Sequence, residues 1–286
     1  MESKKSVFGI VRDLLIVVFA VVFAVSGVML VLNLVERRKG TEMYASLEET
    51  FYKSGFDHEK LTQSLAINKI IEPMEPLNEL DAESVEDTTE QDSLNKTREG
   101  FIALREINPD IYAWIFVPGT DIDYPVVRGD DNTYYLNHAY DRAESSVGSI
   151  FADFRCPDVI GENCNTVFYG HNLLTGGADM FHDVELFLER EFFDSALIYV
   201  YTFDGIYVYK PFSVYQARHD YNYFRVNFDS QKEFVDFSLG VKENSRFDTD
   251  TTFEAGDSIL TLSTCTNIEY FTRYVLHAKL IYRIEE

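Results

Sequence analysis

The hydrophobic pattern divides the chain into an apolar N-terminal run, a polar middle and a long body of alternating apolar positions. Leu14–Val35 contains 22 consecutive uncharged residues, about the length that crosses the hydrocarbon core of a bilayer as a helix. We interpret this run as a retained transmembrane anchor. A cleaved signal peptide is the alternative, because Ala24-Val25-Ser26 resembles a small-residue cleavage site, but the apolar run continues well beyond it.

The polar middle, residues 36–94, begins with patchy helical periodicity and continues as an acidic stretch. Glu72–Ser93 contains nine acidic residues and two prolines, with no base and no aromatic residue. Such a segment buries too little apolar surface to offset the entropy lost on ordering. The pattern therefore predicts a helical stalk followed by an acidic, disordered spacer.

The body, residues 95–286, begins with a helix and continues as strands. The helix is expected to end before Pro109, because the residue preceding a proline disfavours the helical conformation. Asp204-Gly205 predicts a hairpin turn with positive φ. The strand-like segments cover residues 111–119, 122–129, 148–153, 165–171, 196–218, 258–265 and 273–284. With two helical insertions, over residues 179–194 and 230–245, this mostly β pattern predicts a closed or nearly closed β-barrel.

Composition excludes some functions. The 48 acidic and 25 basic residues give a formal net charge of −23, which argues against nucleic-acid binding because phosphate backbones attract clustered Lys and Arg. The sequence contains neither a zinc-binding cysteine cluster nor a phosphate-binding glycine loop. We therefore expect no metal and no cofactor.

The chain has three cysteines, so at least one lacks a partner within the chain. Cys156 and Cys164 flank a turn-like segment and either form a local disulfide or remain reduced. Cys265 is left over in both cases. A buried, inert thiol is the usual role for such a residue, but Cys265 stands where one predicted strand ends.

Alternation places Ser263 and Cys265 on one face of their strand, and Arg273 and His277 on one face of the next. If the two strands are neighbours, the thiol and the guanidinium meet at one end of the sheet, below a connecting loop of residues 266–272. A nucleophilic cysteine needs a base or a cationic partner, and acyl transfer also needs a group that stabilises the oxyanion. An arginine is always charged and can fill that second role.

A histidine would complete the site, and the chain has six. His171 stands out because it follows a strand and a glycine in the sequence YGHN, where its ring can project into a cleft. His138 and His277 stay open as alternatives, although a structural role is the default for each. The other three are placed less favourably: His58 lies in the stalk, His182 in a predicted helix and His219 after a strand.

Together, YGHN, TLSTC and an arginine at the start of the last strand resemble the sortases, membrane-anchored cysteine transpeptidases of Gram-positive bacteria. Residues 107–141 and the sequence GSIFAD resemble class B in particular. The resemblance covers residues 95–286. It implies an eight-stranded sortase barrel without a metal, in which Cys265 is the nucleophile, His171 the general acid and base, and Arg273 the group that stabilises the oxyanion and orients the substrate.

The resemblance also implies substrates and partners. The thiolate would cleave a C-terminal sorting signal of a surface protein, and an amine from a peptidoglycan precursor or a pilin lysine would resolve the thioacyl intermediate. Tyr169, Asn137, Ser263 and Thr264 match positions of the substrate groove, although ordinary strand packing explains them nearly as well. The loop over residues 266–272 is shorter than in several class B members, which places the expected differences in substrate preference there.

Topology follows from the same resemblance, because basic residues are nearly balanced on the two sides of the apolar run. It implies a cytoplasmic tail (1–13), a membrane anchor in the lipid bilayer (14–35), a stalk and spacer (36–94) and an extracellular catalytic domain (95–286). Two other functions stay open: polymerisation of pilin subunits, and peptide binding by a catalytically silent barrel. A papain-like hydrolase fits less well, because here the histidine precedes the cysteine.

Overall fold

The computed structural model describes residues 7–65, 79–160, 165–173, 179–218, 220–265 and 272–285. The helices are α1 (Val7–Tyr52), α2 (His58–Leu65), α3 (Glu79–Ile107), α4 (Arg190–Ser195) and α5 (Gln231–Glu243). The strands are β1 (Ile111–Phe116), β2 (Asp123–Val127), β3 (Ile150–Ala152), β4 (Asn165–Tyr169), β5 (Ile198–Tyr201), β6 (Gly205–Arg218), β7 (Ile259–Cys265) and β8 (Thr272–Glu285).

The strands close into one barrel in the order β1-β2-β3-β4-β7-β8-β6-β5. This confirms the predicted eight-stranded β-barrel, and each predicted strand segment contains a strand. The pairs β2/β3 and β4/β7 are parallel, whereas the other neighbours are antiparallel. The parallel pair β4/β7 matters most for function, because it brings the YGHN and TLSTC sequences side by side.

The helix predictions for the body also hold. Helix α3 ends at Ile107, before Pro109 as expected. The first insertion forms a 3-10 helix (His182–Leu188) followed by α4, and the second forms α5. Helix α5 begins at an N-cap, Ser230, whose hydroxyl accepts a hydrogen bond from the backbone N–H of Glu233, as capping serines do.

The hairpin between β5 and β6 forms where Asp204-Gly205 predicts it, but the expected positive φ is wrong: neither residue is among those with positive φ. Gly205 is required for a different reason. A Cβ atom there would lie 2.9 Å from the backbone oxygen of Ile284 on β8, closer than a side chain can approach. The glycine thus allows strand contact rather than an unusual turn conformation.

The N-terminal helices pack against the barrel. Tyr44, Leu47 and Phe51 of α1 are buried, and the Phe51 ring is stacked on Trp114 of β1 with centroids 4.5 Å apart. The Tyr44 hydroxyl donates a hydrogen bond to the backbone oxygen of Gly148 at 2.8 Å. The described part of the predicted stalk, up to Leu65, contains the end of α1 and all of α2, and its α1 portion forms part of the core of the folded body.

Helix α3 completes this packing by a close approach to α1. A Cβ atom on Gly100 would lie 2.7 Å from the Phe51 ring and 3.0 Å from its backbone oxygen, so only glycine fits. Phe101 and Leu104 of the same helix are fully buried. Helices α1 and α3 therefore pack tightly against each other and against the outside of the barrel.

The acidic segment Glu72–Ser93 differs from its prediction, because the structure is helical from Glu79 onward as the start of α3; residues 72–78 lie outside the described part. Glutamate, alanine, leucine and glutamine favour helix, and the packed C-terminal half of α3 supplies a nucleus from which the helix extends. The expected domain boundary at Asn95 consequently falls inside a helix.

Helix α1 contains the apolar run. Its segment Val11–Leu32 has a mean hydropathy of 3.1 and no burial inside the fold. By length and composition, it is the one helix among the described residues that can cross a membrane. The same helix continues without a break to Tyr52, so the apolar segment and the barrel-packed segment share one helix.

Candidate active site

Cys265 and Arg273 are partners in the antiparallel pairing of β7 with β8. Cys265 is the last residue of β7, and Arg273 is the second residue of β8. Directly opposed residues of such a pair have Cβ atoms about 4.5–5.5 Å apart on the same face of the sheet. The predicted meeting of thiol and guanidinium at one end of the sheet is confirmed.

His171 reaches the same place from the other side of β7. Parallel pairing of β4 with β7 ends at Tyr169 and Ser263, and each chain then advances two residues, to His171 and Cys265. The cysteine strand therefore lies between the strands that deliver the histidine and the arginine. Strands β7 and β8 supply Cys265 and Arg273, and the segment that follows their neighbour β4 supplies His171.

All three side chains line one open cavity of about 380 Å³. Among the described residues, its wall combines aromatic, hydroxyl and cationic groups and includes no carboxylate. Besides Cys265, His171 and Arg273, the lining residues of the described chain are Asn132, Leu136, Phe151, Arg155, Tyr169, Gly170, Tyr223, Phe224, Ser263 and Thr264. An acidic protein thus presents a cavity whose charged groups are cationic.

Among the described residues, one hydrogen bond holds the His171 ring. Its Nε2 atom lies 2.7 Å from the backbone oxygen of Leu136, and a carbonyl only accepts, so Nε2 carries the proton. The Nδ1 atom of the neutral ring is then the basic nitrogen. The backbone oxygen of His171 also accepts a hydrogen bond from the Phe181 N–H at 2.9 Å.

Arg273 keeps its guanidinium available in the cavity. Its Nη1 atom donates to the backbone oxygen of Thr272 at 3.0 Å. Within the described ranges, no carboxylate lies at ion-pair distance from Arg273. An unneutralised guanidinium beside the thiol is suited to binding a developing oxyanion.

A second polar cluster lies behind one wall of the cavity, where Asp153 is fully buried beneath three lining residues, Asn132, Arg155 and Tyr169. Arg155 donates to both carboxylate oxygens at 2.7 Å, Asn132 donates at 2.9 Å and the Tyr169 hydroxyl at 3.0 Å. Burial raises the pKa of Asp153, but the hydrogen bonds from Arg155 and Asn132 outweigh burial and lower it. Burial and the Asp153 charge raise the pKa of Tyr169 far above its usual value, so the phenol remains a donor.

Hydroxyl groups of β7 form the floor of the cavity. The Ser263 oxygen lies 2.9 Å from the Tyr223 hydroxyl, and burial raises the pKa of Tyr223 above its ordinary value. Thr264 is buried, and its hydroxyl has no hydrogen-bond partner among the described residues. Tyr169, Ser263 and Thr264 all line the cavity, and their role in binding substrate stays a prediction.

Asn137 does not reach the cavity. It is exposed at the end of the 3-10 helix Tyr134–Leu136, and its backbone oxygen accepts a hydrogen bond from Ser145. Asn132, five positions earlier, lies in the cavity wall instead. Sequence reasoning also missed Arg155 and Tyr223, because neither stands in a motif and both arrive from loops that the barrel closure brings to the site.

The remaining histidines have structural partners where they are described. His277 is fully buried between the Tyr215 hydroxyl (3.0 Å) and the Thr261 hydroxyl (2.8 Å), and burial lowers its pKa to about 3. His138 stacks on Tyr134 with centroids 3.9 Å apart. The other two contact polar groups: His58 bonds to Tyr201 and His182 to Asn172. His219 lies outside the described residues.

Two further predictions concern residues that lie partly outside the described ranges, and a third concerns metal binding. Cys156 is buried, but Cys164 is not described, so the predicted pairing stays open. Residues 266–271 of the loop over the site are not described either. Among the described residues, no group of histidine, cysteine and carboxylate side chains has the arrangement of a metal site.

A closed β-barrel with a cysteine, a histidine and an arginine around one cavity has the composition of a cysteine-dependent acyl-transfer enzyme. A family model described as the Sortase domain matches residues 115–281. The chain therefore belongs to the sortase family, and it is a cysteine transpeptidase of the sortase type.

Its relatives place it in class B. The chain is 36% identical to Sortase B of Staphylococcus aureus over 189 residues, which is 64% of this chain and 75% of that protein. It is 34% identical to Sortase B of Listeria monocytogenes over 182 residues, covering 62% and 72%. The structure of a Staphylococcus aureus sortase B–substrate complex superposes with a TM-score of 0.64 at 28% identity, covering 86% of this chain and 98% of that one.

Proposed function

We propose that this enzyme attaches surface proteins to the cell wall by cleaving a C-terminal sorting signal at Cys265 and transferring the acyl group to an amine. One observation carries the proposal: Cys265, His171 and Arg273 line a single cavity although they come from different strands. The aromatic and hydroxyl lining of the cavity offers both apolar and hydrogen-bonding contacts to a peptide.

In the first half-reaction, the Cys265 sulfur attacks the carbonyl carbon of the scissile peptide bond. The oxygen of that carbonyl takes the negative charge, which the Arg273 guanidinium stabilises. His171 then gives a proton to the leaving nitrogen, the C–N bond breaks, and a thioester to Cys265 remains. That proton is the one that Nδ1 of His171 takes from the Cys265 thiol when the sulfur attacks, so the ring is neutral again once the thioester has formed.

In the second half-reaction, an amine attacks the thioester carbonyl. His171 removes the proton of the attacking nitrogen, Arg273 again binds the oxyanion, and the C–S bond breaks to regenerate the thiol. The product is an amide between the surface protein and its acceptor. A peptidoglycan precursor is the acceptor we favour, whereas a pilin lysine would give subunit polymerisation by the same chemistry.

The apolar segment of α1 supports a membrane location. We propose that Leu14–Val35 anchors the chain in the lipid bilayer with residues 1–13 in the cytoplasm and the barrel outside the cell, where sorting signals are met. Because α1 continues unbroken into its contacts with the barrel, this proposal places the barrel close to the membrane surface.

The proposal is tested with the full-length chain in detergent micelles and a library of fluorogenic peptides that vary around a Thr-Gly bond. Each peptide is incubated with and without amine nucleophiles, and products are identified by mass spectrometry. We expect cleavage and an amine-dependent amide product from the unaltered protein and from Cys156→Ala, which changes a buried cysteine remote from the attack step. Cleavage by Cys265→Ala at the rate of the unaltered protein would refute the mechanism. If the products formed in the presence of an amine never contain that amine, transfer is refuted.

A further inference from the structure

The Asn172 side chain joins the two strands that carry the proposed catalytic histidine and cysteine. It follows His171 directly in the sequence and is buried. Its Nδ2 atom donates to the backbone oxygen of Cys265 at 3.0 Å and to the Glu185 carboxylate at 2.6 Å. Its Oδ1 atom accepts from Nδ1 of His182 at 2.8 Å. The amide therefore contacts the backbone of the proposed nucleophile itself.

This contact extends the pairing of β4 with β7. The last backbone hydrogen bond between these two segments runs from the Gly170 N–H to the Ser263 oxygen at 3.2 Å. In a regular parallel pair, the next donor would be the backbone N–H of Asn172 and the next acceptor the oxygen of Cys265. The side-chain amide of Asn172 makes that bond instead, beyond the last paired residues.

Its neighbours fix the orientation of the amide. Nδ2 faces a carbonyl and a carboxylate, which only accept hydrogen bonds, and His182 donates to Oδ1. A flipped amide would place an oxygen against two oxygens, so one orientation satisfies all three contacts. Glu185 and His182 belong to the same 3-10 helix, His182–Leu188, which therefore acts as a rigid support.

We propose that Asn172 is a positioning residue, which fixes the backbone of Cys265 relative to His171. The proposal rests on the proposed function of Cys265 as the nucleophile. Cys265 is the last residue of β7 and lies beyond the last residue pair between β4 and β7. The hydrogen bond from the Asn172 side chain therefore supplies the constraint that further backbone pairing would otherwise give. A misplacement of the reacting atoms by about 1 Å costs a rate factor of about 10², which sets the size of the expected effect.

The first test removes the contact. Asn172→Ala deletes the amide, and Asn172→Asp places a carboxylate oxygen against the Cys265 oxygen and Glu185. We expect kcat to fall about 10²-fold in both variants, with a smaller change in KM. Asn95→Asp adds the same charge at an exposed position of α3 and should retain the unaltered kcat. Alkylation of Cys265 by iodoacetamide, followed from pH 5 to pH 9 by peptide mass spectrometry, should show a displaced pH profile in the Asn172 variants alone.

The second test separates positioning from stability. In the double variant Asn172→Asp with Glu185→Gln, the new glutamine amide can donate to the new aspartate, so the pairing with the 3-10 helix is restored. Two oxygens still face each other between residue 172 and Cys265. We expect the thermal midpoint to recover toward that of the unaltered protein while kcat stays low. A purely structural brace predicts that both recover together.

The outcomes are distinct. Low kcat with a restored thermal midpoint in the double variant, together with the displaced alkylation profile, supports positioning. An unchanged kcat in Asn172→Ala, or joint recovery in the double variant, overturns it. Failure of the proposed function would appear separately, as peptide transfer that continues in Cys265→Ala whatever stands at position 172.

Discussion

Cys265 and Arg273 are directly opposed residues of the antiparallel β7/β8 pair, at the end of the sheet where His171 arrives from β4. Backbone hydrogen bonds therefore fix the spacing of the thiol and the guanidinium, rather than loop conformation. Sites built on strands hold their groups more precisely than sites built on loops. The loop between these two residues can then vary without moving either group.

Replacing Arg273 by lysine tests whether geometry or charge matters at the oxyanion position. Lysine keeps the charge but lacks the planar fork of donors. We expect kcat for Arg273→Lys to fall by about 10²-fold, the scale measured when one oxyanion donor is removed. Steady-state kinetics with the fluorogenic peptide provide the measurement.

Arg218→Lys is the matched control, because Arg218 pairs with Thr272 across β6 and β8 but is exposed and bonded to Asp220. Its kcat should equal that of the unaltered protein. Equal activity of the two lysine variants would exclude a special role for the Arg273 guanidinium.

Substitution of His171 should separate catalysis from stability. The ring is partly exposed, and within the described ranges its side chain makes one hydrogen bond, to the backbone oxygen of Leu136. We therefore expect His171→Ala to unfold within about 1 kcal/mol of the unaltered protein while losing about 10²–10⁴-fold in kcat. Urea unfolding and peptide kinetics test the two halves, and a variant that keeps its kcat would remove His171 from the mechanism.

The buried His277 predicts acid sensitivity of the fold. Burial lowers its pKa from 6.5 to about 3, so between these pH values the unfolded chain binds a proton that the folded protein excludes. The free energy of unfolding therefore decreases as pH falls through this window, by at most about 1.4 kcal/mol per pH unit. Above about pH 6.5 this contribution no longer changes.

Urea unfolding at pH 7.5, 6.5 and 5.5 measures this effect, with fluorescence of Trp114, the one tryptophan of the chain, as the probe. His277→Gln should be less stable at pH 7.5 and show a flatter pH dependence. His138→Gln changes a histidine that stacks on Tyr134 at the surface and should keep the original slope. Parallel slopes for the unaltered protein and His277→Gln would contradict the assignment.

The stacking of Phe51 on Trp114 predicts that α1 stabilises the barrel. Phe51→Ala leaves a cavity between helix and strand, and such truncations cost about 3–5 kcal/mol. We expect that loss in urea unfolding and a red shift of Trp114 emission. Ile102→Ala removes an exposed apolar side chain of α3 and should have little effect; equal losses in the two variants would show that the helices do not support the barrel.

Period-two alternation was sufficient to predict much of the fold, because a strand buried on one face must repeat its apolar positions. It located every strand segment, and it placed Cys265 and Arg273 on facing sides of consecutive strands. The apolar run of α1 was equally evident from length and composition. The motif sequences around His171 and Cys265 supplied the family.

Other features depended on contacts between distant segments. Asn137 was predicted at the groove, but closure of the barrel brought Asn132 and Arg155 there, and neither has a local signal. The acidic segment was predicted to be disordered because its composition offers too little apolar surface to bury. It is helical from Glu79 because it belongs to α3, whose buried residues Phe101 and Leu104 lie farther along the same helix.

The strands, the apolar helix and the three reactive side-chain types were predictable from the chain alone, since each leaves a local pattern. The parallel placement of β4 beside β7 was not predictable, and it is this placement that brings His171 level with Cys265 and lets Asn172 bond to the cysteine backbone. Strand order in a closed barrel is set by the packing of the whole core, and no local periodicity records it.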